Sequence, residues 1–124
     1  MRRDPLALQR ALERRERENQ AERLLDKVPT LKSLSLTIQE QAVDGSEMHV
    51  VYTRHIVVER APALFTIPCC DHACNGGGHD LTSEVLRGLR KGKAHFEGKD
   101  RCAGTVREAD CPFELSFVAE ATYG

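Results

Sequence analysis

The stretch FTIPCCDHACNGGGHD, residues 65 to 80, carries three of the chain's five cysteines, two of its five histidines and three consecutive glycines. Ala63 to Ile67, following Pro62, reads as a short strand, and Asp80 stands where a helix over Leu81 to Lys91 begins. Cys69, Cys70 and Cys74 therefore lie in a loop between a strand and a helix. The glycines at 76, 77 and 78 permit a tight backbone there, with amide N–H groups free to approach sulfur. The other two cysteines, Cys102 and Cys111, bracket AGTVREAD between the last two strands. Each pair sits on a local turn.

Two turn-borne pairs brought together by a fold are what a tetrahedral zinc site needs. Cys69, Cys74, Cys102 and Cys111 are the ligand set this spacing predicts. Cys69 is preferred to Cys70 because it continues the parity of Phe65 and Ile67; Cys70, His72 and His79 are alternative ligands. The plan resembles that of zinc ribbons, although C-x4-C or C-x3-C is looser than their C-x2-C knuckles. Buried free thiols and disulfides are the competing readings. An N-terminus that places charges where a signal peptide carries its apolar run suggests a cytoplasmic chain without a membrane span. In a reducing compartment clustered thiols hold metal more readily than they pair.

Outward from the cysteines the periodicity changes twice. Leu34, Leu36 and Ile38 alternate with Ser33, Ser35, Thr37 and Gln39, a strand with one wet face. Asp44-Gly45 supplies a turn into a second strand, Met48 to Val58, with room for a bulge around Thr53 to His55. The helix Leu81 to Lys91 has Thr82 as its expected N-cap and Gly92 as its C′ residue. Lys93 to Arg101 and Pro112 to Tyr123 complete the strands; Phe113, Leu115, Phe117, Ala119, Ala121 and Tyr123 share one face of the last. The expected class is α+β: a small, mostly antiparallel sheet of about five strands, one helix packed on it, a zinc knuckle and an N-terminal helical arm.

The arm is expected over residues 1–29 and the zinc-stabilised domain over 30–124. Pro5 to Val28 consists of good helix formers closed by Pro29, but ERRERENQ, residues 13 to 20, contains nothing apolar. That polar middle is expected to hold Leu6, Leu8, Ala11 and Leu12 away from the body. The 124 residues are 40% hydrophobic and only 5% aromatic, with no Trp, so a metal staple would help a core with little reserve.

A formal net charge of −1 argues against a protein that coats nucleic acid by electrostatics alone. The arm holds eight basic and six acidic side chains, against ten and thirteen in the rest. The leading reading is a non-enzymatic adaptor that docks a protein partner through Leu8, Leu12, Arg14 and Arg15. The alternative is a module for structured RNA or a ribonucleoprotein, which would add Arg87, Arg90 and Lys91. A zinc hydrolase ranks third: it would need His79 in place of one thiol and Asp80 as the proton acceptor, whereas four thiolates close the shell.

Overall fold

A computed structural model describes residues 5–43, 49–71 and 73–124. The turn expected at Asp44-Gly45, the beginning of the second strand at Met48 and the candidate ligand His72 lie outside the described residues, as does the side chain of Leu6. The chain runs α1 (Pro5–Gln20), α2 (Leu24–Lys27), β1 (Leu31–Ala42), β2 (His49–Ile56), β3 (Thr66–Ile67), β4 (His79–Asp80), α3 (Thr82–Arg90), β5 (His95–Arg101), β6 (Thr105–Val106), β7 (Ala109–Asp110) and β8 (Phe113–Tyr123). One antiparallel sheet of four strands, ordered β2-β1-β8-β5, dominates the α+β architecture.

The alternation read from the sequence fixes which face of that sheet is dry. Leu34, Leu36 and Ile38 of β1 stand in register with Ala121, Ala119 and Phe117 of β8, and all are buried. The same face carries Leu115 and, across β5, Phe96, whose ring meets Phe117 edge to face with centroids 6.4 Å apart. Helix α3 covers this face through Val85, Gly88 and Leu89, and burial of each large apolar side chain contributes about 1.5–3 kcal/mol. Gly88 is what lets α3 settle, because a Cβ there would strike the Phe96 ring at 2.6 Å. On the opposite face Thr37, His95 and Glu97 are exposed, while Ser35, Ser116 and Val118 are half-buried.

Several local expectations are corrected. The third strand is shorter than Ala63 to Ile67 and does not join the sheet; Thr66 and Ile67 pair with Asp80 and His79, folding the cysteine loop back on itself. No bulge occurs at Thr53 to His55, since the β1–β2 register runs unbroken from Leu34↔Ile56 to Gln41↔His49. The irregularity falls in β1 between Leu31 and Ser33 instead. The N-cap of α3 is Leu81, not Thr82: the Thr82 hydroxyl accepts the Phe65 N–H at 2.9 Å, and Asp80 Oδ1 accepts the Thr82 N–H at 3.0 Å. Gly92, with φ of 69°, follows the C-cap Lys91 as expected.

The N-terminal segment is not one helix to Val28. α1 ends at Gln20, the chain bends at Ala21, and Arg23, in extended form, bridges antiparallel to Pro62. The Leu24 N–H donates to Ala61 O and the Ala63 N–H to Glu22 O, bonds that a continuous helix would have kept to itself. Leu24 and Val28 then enter the core. Nor does α1 stand clear of the body. Arg10 donates from Nη1 to the Cys74 carbonyl and from Nη2 to Asn75 Oδ1, both at 3.1 Å.

Candidate metal centre

The two cysteine pairs arrive by separate routes. After β3, Pro68 leads into Cys69, and Asp71 turns the chain by accepting the Ala73 N–H on its carboxylate and the Cys74 N–H on its carbonyl. Across the site the segment between Cys102 and Cys111, expected as a plain connection, is a small hairpin of β6 and β7. Its two turn residues, Arg107 and Glu108, have φ of 51° and 68°, as in a tight primed hairpin turn. The Cys102 N–H donates to Phe113 O and the Cys111 N–H to Gly104 O. Reciprocal bonds between Asn75 and Thr105, at 2.8 and 3.0 Å, clamp the two halves together.

The result brings Cys69, Cys74, Cys102 and Cys111 into one group, with every pair of sulfurs within 4.8 Å. Cys69 Sγ stands 3.7 Å from Cys111 Sγ, and Cys74 Sγ 3.6 Å from Cys102 Sγ. All five cysteines are free thiols. Cys74, Cys102 and Cys111 are buried and Cys69 half-buried, so these four sulfurs form a set that can hold a metal ion. Cys70 lies outside it.

Burial pushes the Cys69 thiol upward and the Cys74 thiol up to about 12, the neighbouring sulfurs adding to the effect. Cys70 is pushed up to about 11 by burial and by the Glu40 carboxylate. At Cys102 burial acts the same way but is outweighed by N–H donors of Gly104 and Gly78, which bring it down to about 7; the Gly78 N–H lies 3.4 Å from the sulfur. A cluster of this kind favours a bound cation, which relieves the mutual repulsion of the thiolates.

Gly77 shows how tightly the backbone is drawn around these sulfurs, because a Cβ built there would fall against Sγ of both Cys74 and Cys102. We expect Gly77→Ala to weaken metal binding by roughly 10–100-fold, the range for perturbing the shell around a metal's ligands. Gly76→Ala is the control: its Cβ meets nothing within 4 Å, and the cost of its φ of 68°, about 1–2 kcal/mol, falls on the backbone. Competition titration against a chromogenic chelator measures both, and equal affinities would refute the packing account.

His79, an alternative ligand from sequence, takes no part in the sulfur group. Its imidazole is buried between Asp100 Oδ2, 2.7 Å from Nδ1, and Glu40 Oε1, 3.6 Å from Nε2. Glu40, itself only 2% exposed, also accepts the Cys70 N–H at 3.1 Å. Burial opposes a charge on His79, but the two carboxylates outweigh it and raise its pKa. Asp80 points elsewhere, to the start of α3. Neither residue is placed for the hydrolytic roles considered from sequence.

Of the residues assigned to partner binding, Leu8 and Leu12 are 49% and 56% exposed on α1, with Arg15 exposed and Arg14 half-buried beside them. Arg87 and Arg90 on α3 and Lys91 at its C-cap are exposed. Sequence reading missed Glu40 and Asp100, and the bonds that Arg10 makes to the cysteine loop. The parity of the strands carried a signal for the first two, since Glu40 continues the buried positions of Leu36 and Ile38 and Asp100 the half-buried ones of Phe96 and Gly98.

No family model, curated protein or solved structure matches the chain. Among the described residues, no helix is long and apolar enough to cross a membrane.

Proposed function

We propose that the chain is a non-enzymatic, zinc-stabilised binding module that docks a protein partner through α1. One observation carries the metal assignment. Four sulfurs at ~2.3 Å from a tetrahedral zinc would stand about 3.8 Å apart; two of the Sγ pairs lie at 3.7 and 3.6 Å, and all pairs fall within 4.8 Å. Thiolate-only sets favour soft or borderline ions over magnesium or calcium. With four sulfurs bound, zinc has no open position for water, and His79 is hydrogen-bonded to Asp100 and lies at ion-pair distance from Glu40. These features support a structural centre.

Docking is assigned to α1 because Leu8 and Leu12 are one helical turn apart and exposed, an apolar pair that the body leaves uncovered. The Arg10 contacts to Cys74 and Asn75 link the root of that surface to the metal loop. Purified, reduced protein is expected to contain one zinc per chain, and its cobalt form to show strong tetrahedral thiolate bands. Less than about half an equivalent, or a five-coordinate spectrum, would overturn the assignment. Deleting residues 1–18 should leave zinc content and melting temperature nearly unchanged while abolishing partner capture; a truncated chain that unfolds would remove the docking reading.

A second reading rests on Arg87, Arg90 and Lys91, which are exposed and make no ion pair among the described residues. They suit phosphates of structured RNA or a ribonucleoprotein. Capture that is lost to nuclease and to moderate salt selects that reading over a protein groove.

A further inference from the structure

We propose that the free edge of β2, with the hollow at its C-terminal end, binds an extended acidic peptide segment as a fifth strand of the sheet. The inference rests on the sheet alone and stands whether or not α1 docks a partner. β2 is the terminal strand of the order β2-β1-β8-β5. Among the described residues, every backbone hydrogen bond of its eight residues goes to β1. In an antiparallel pair alternate residues turn N–H and C=O away from the neighbour, so among the described residues this edge presents a row of donors and acceptors without a partner.

The two edges of the sheet are treated differently by the sequence. β5 reads HFEGKDR, with charges of both signs along it, which discourages edge pairing. β2 reads HVVYTRHI, without proline, lysine or carboxylate, and its register has no bulge. Val50 and Val51 are 37% and 55% exposed on it. A regular, partly apolar edge of this length is a template for strand addition.

Charge selects the occupant. Beside the end of β2 lies a hollow of about 250 Å³ whose apolar wall is Ile56, Val57, Ala61, Pro62, Leu64 and Phe65. His55, Arg54 and Arg60 complete it; the two arginines are exposed and without an ion pair among the described residues, and no carboxylate lines it. Arg23 adds a third guanidinium, its Nη1 donating to Arg60 O at 2.7 Å. A strand laid along β2 would send alternate side chains towards this hollow. One large apolar residue flanked by glutamates or aspartates satisfies the wall and the arginines together. A second copy of the chain suits it less, because pairing β2 with itself would bring two basic edges together.

The test uses the full, zinc-loaded chain and a fluorescent peptide of about eight residues in which glutamate alternates with valine and isoleucine, titrated by anisotropy and by amide chemical shifts. Binding with shifts along β2 and at Arg60 is expected. Replacing the glutamates by lysine should weaken it at least about tenfold, as should Arg54→Glu with Arg60→Glu at unchanged metal content. Arg54→Ala with Arg60→Ala serves if the charge reversals misfold. N-methylation of alternate peptide amides should abolish binding, which separates strand addition from charge attraction. Equal affinity for acidic and basic peptides, shifts on α1 or α3 in place of β2, or unchanged binding by both arginine variants would overturn the proposal. So would concentration-dependent dimerisation, removed by Val51→Lys, in a chain that ignores the peptide; that result assigns the edge to a second copy.

Discussion

Chelating the metal under reducing conditions is expected to abolish the cooperative thermal transition of the domain. Apart from the Asn75–Thr105 clamp and the bonds from Arg10 and Glu40, the loops that carry the thiols rest on few apolar contacts. Their apolar cluster consists of Ala42, Cys74, Cys102, Cys111 and Phe113, with Cys69, Cys70 and Val106 at its margin, apart from the main core under α3. Structural zinc supplies on the order of 10 kcal/mol of apparent binding energy, against about 5–15 kcal/mol of net stability for a whole domain. Cys102→Ser and Cys111→Ser should therefore behave like the chelated protein. Cys70→Ser should keep both metal and melting temperature, because that sulfur lies outside the four and its backbone N–H bond to Glu40 survives the change. Metal affinity should fall as pH is lowered, since the ligands must be deprotonated. Circular dichroism melts with and without chelator decide the matter: an apo protein melting within a few degrees of the loaded one would show that the main core suffices.

The cysteine cluster was legible because its chemistry is local: each pair lies near a turn of its own, and turns can be read from neighbours. The sheet was legible for a related reason. Phe113 to Tyr123 and Leu34 to Ile38 alternate cleanly, so their faces follow from period alone. What escaped depends on contacts distant in sequence. Arg10 reaches a carbonyl 64 residues away, and Leu24 donates to Ala61, so the end of α1 was decided by a segment it could not announce. The same holds for Thr66 and Ile67, whose partners are His79 and Asp80 in place of a sheet strand. Glu40 escaped for another reason. A carboxylate at a buried parity position is ordinarily taken as the end of a strand's dry face, and only the arrival of His79 and the Cys70 N–H explains it.

Glu40→Ala is expected to lower the stability of the metal-loaded protein by about 3 kcal/mol, the scale for breaking a buried charge pair from one side. The loss has two parts: the Cys70 N–H forfeits its acceptor, and His79 keeps only Asp100, whose side chain is 34% exposed and correspondingly screened. Replacing Glu40 and His79 together by Leu should cost less than the sum of the single changes, since neither member of that buried pair is then left alone and the Asp100 side chain, 34% exposed, turns to water. The pH dependence has a definite sign. The folded-state pKa of His79 is raised above its unfolded value of about 6.5, so its contribution is fully present below that pH and is lost as pH rises through the folded value. The stability gap between the parent chain and His79→Gln should accordingly be widest near pH 6 and shrink above it. Both proteins are measured at saturating zinc, so that thiolate protonation affects them alike. A gap that stays constant from about pH 6 to 9, or widens with pH, would mean that His79 is held as a neutral ring and that Glu40 serves only the Cys70 amide.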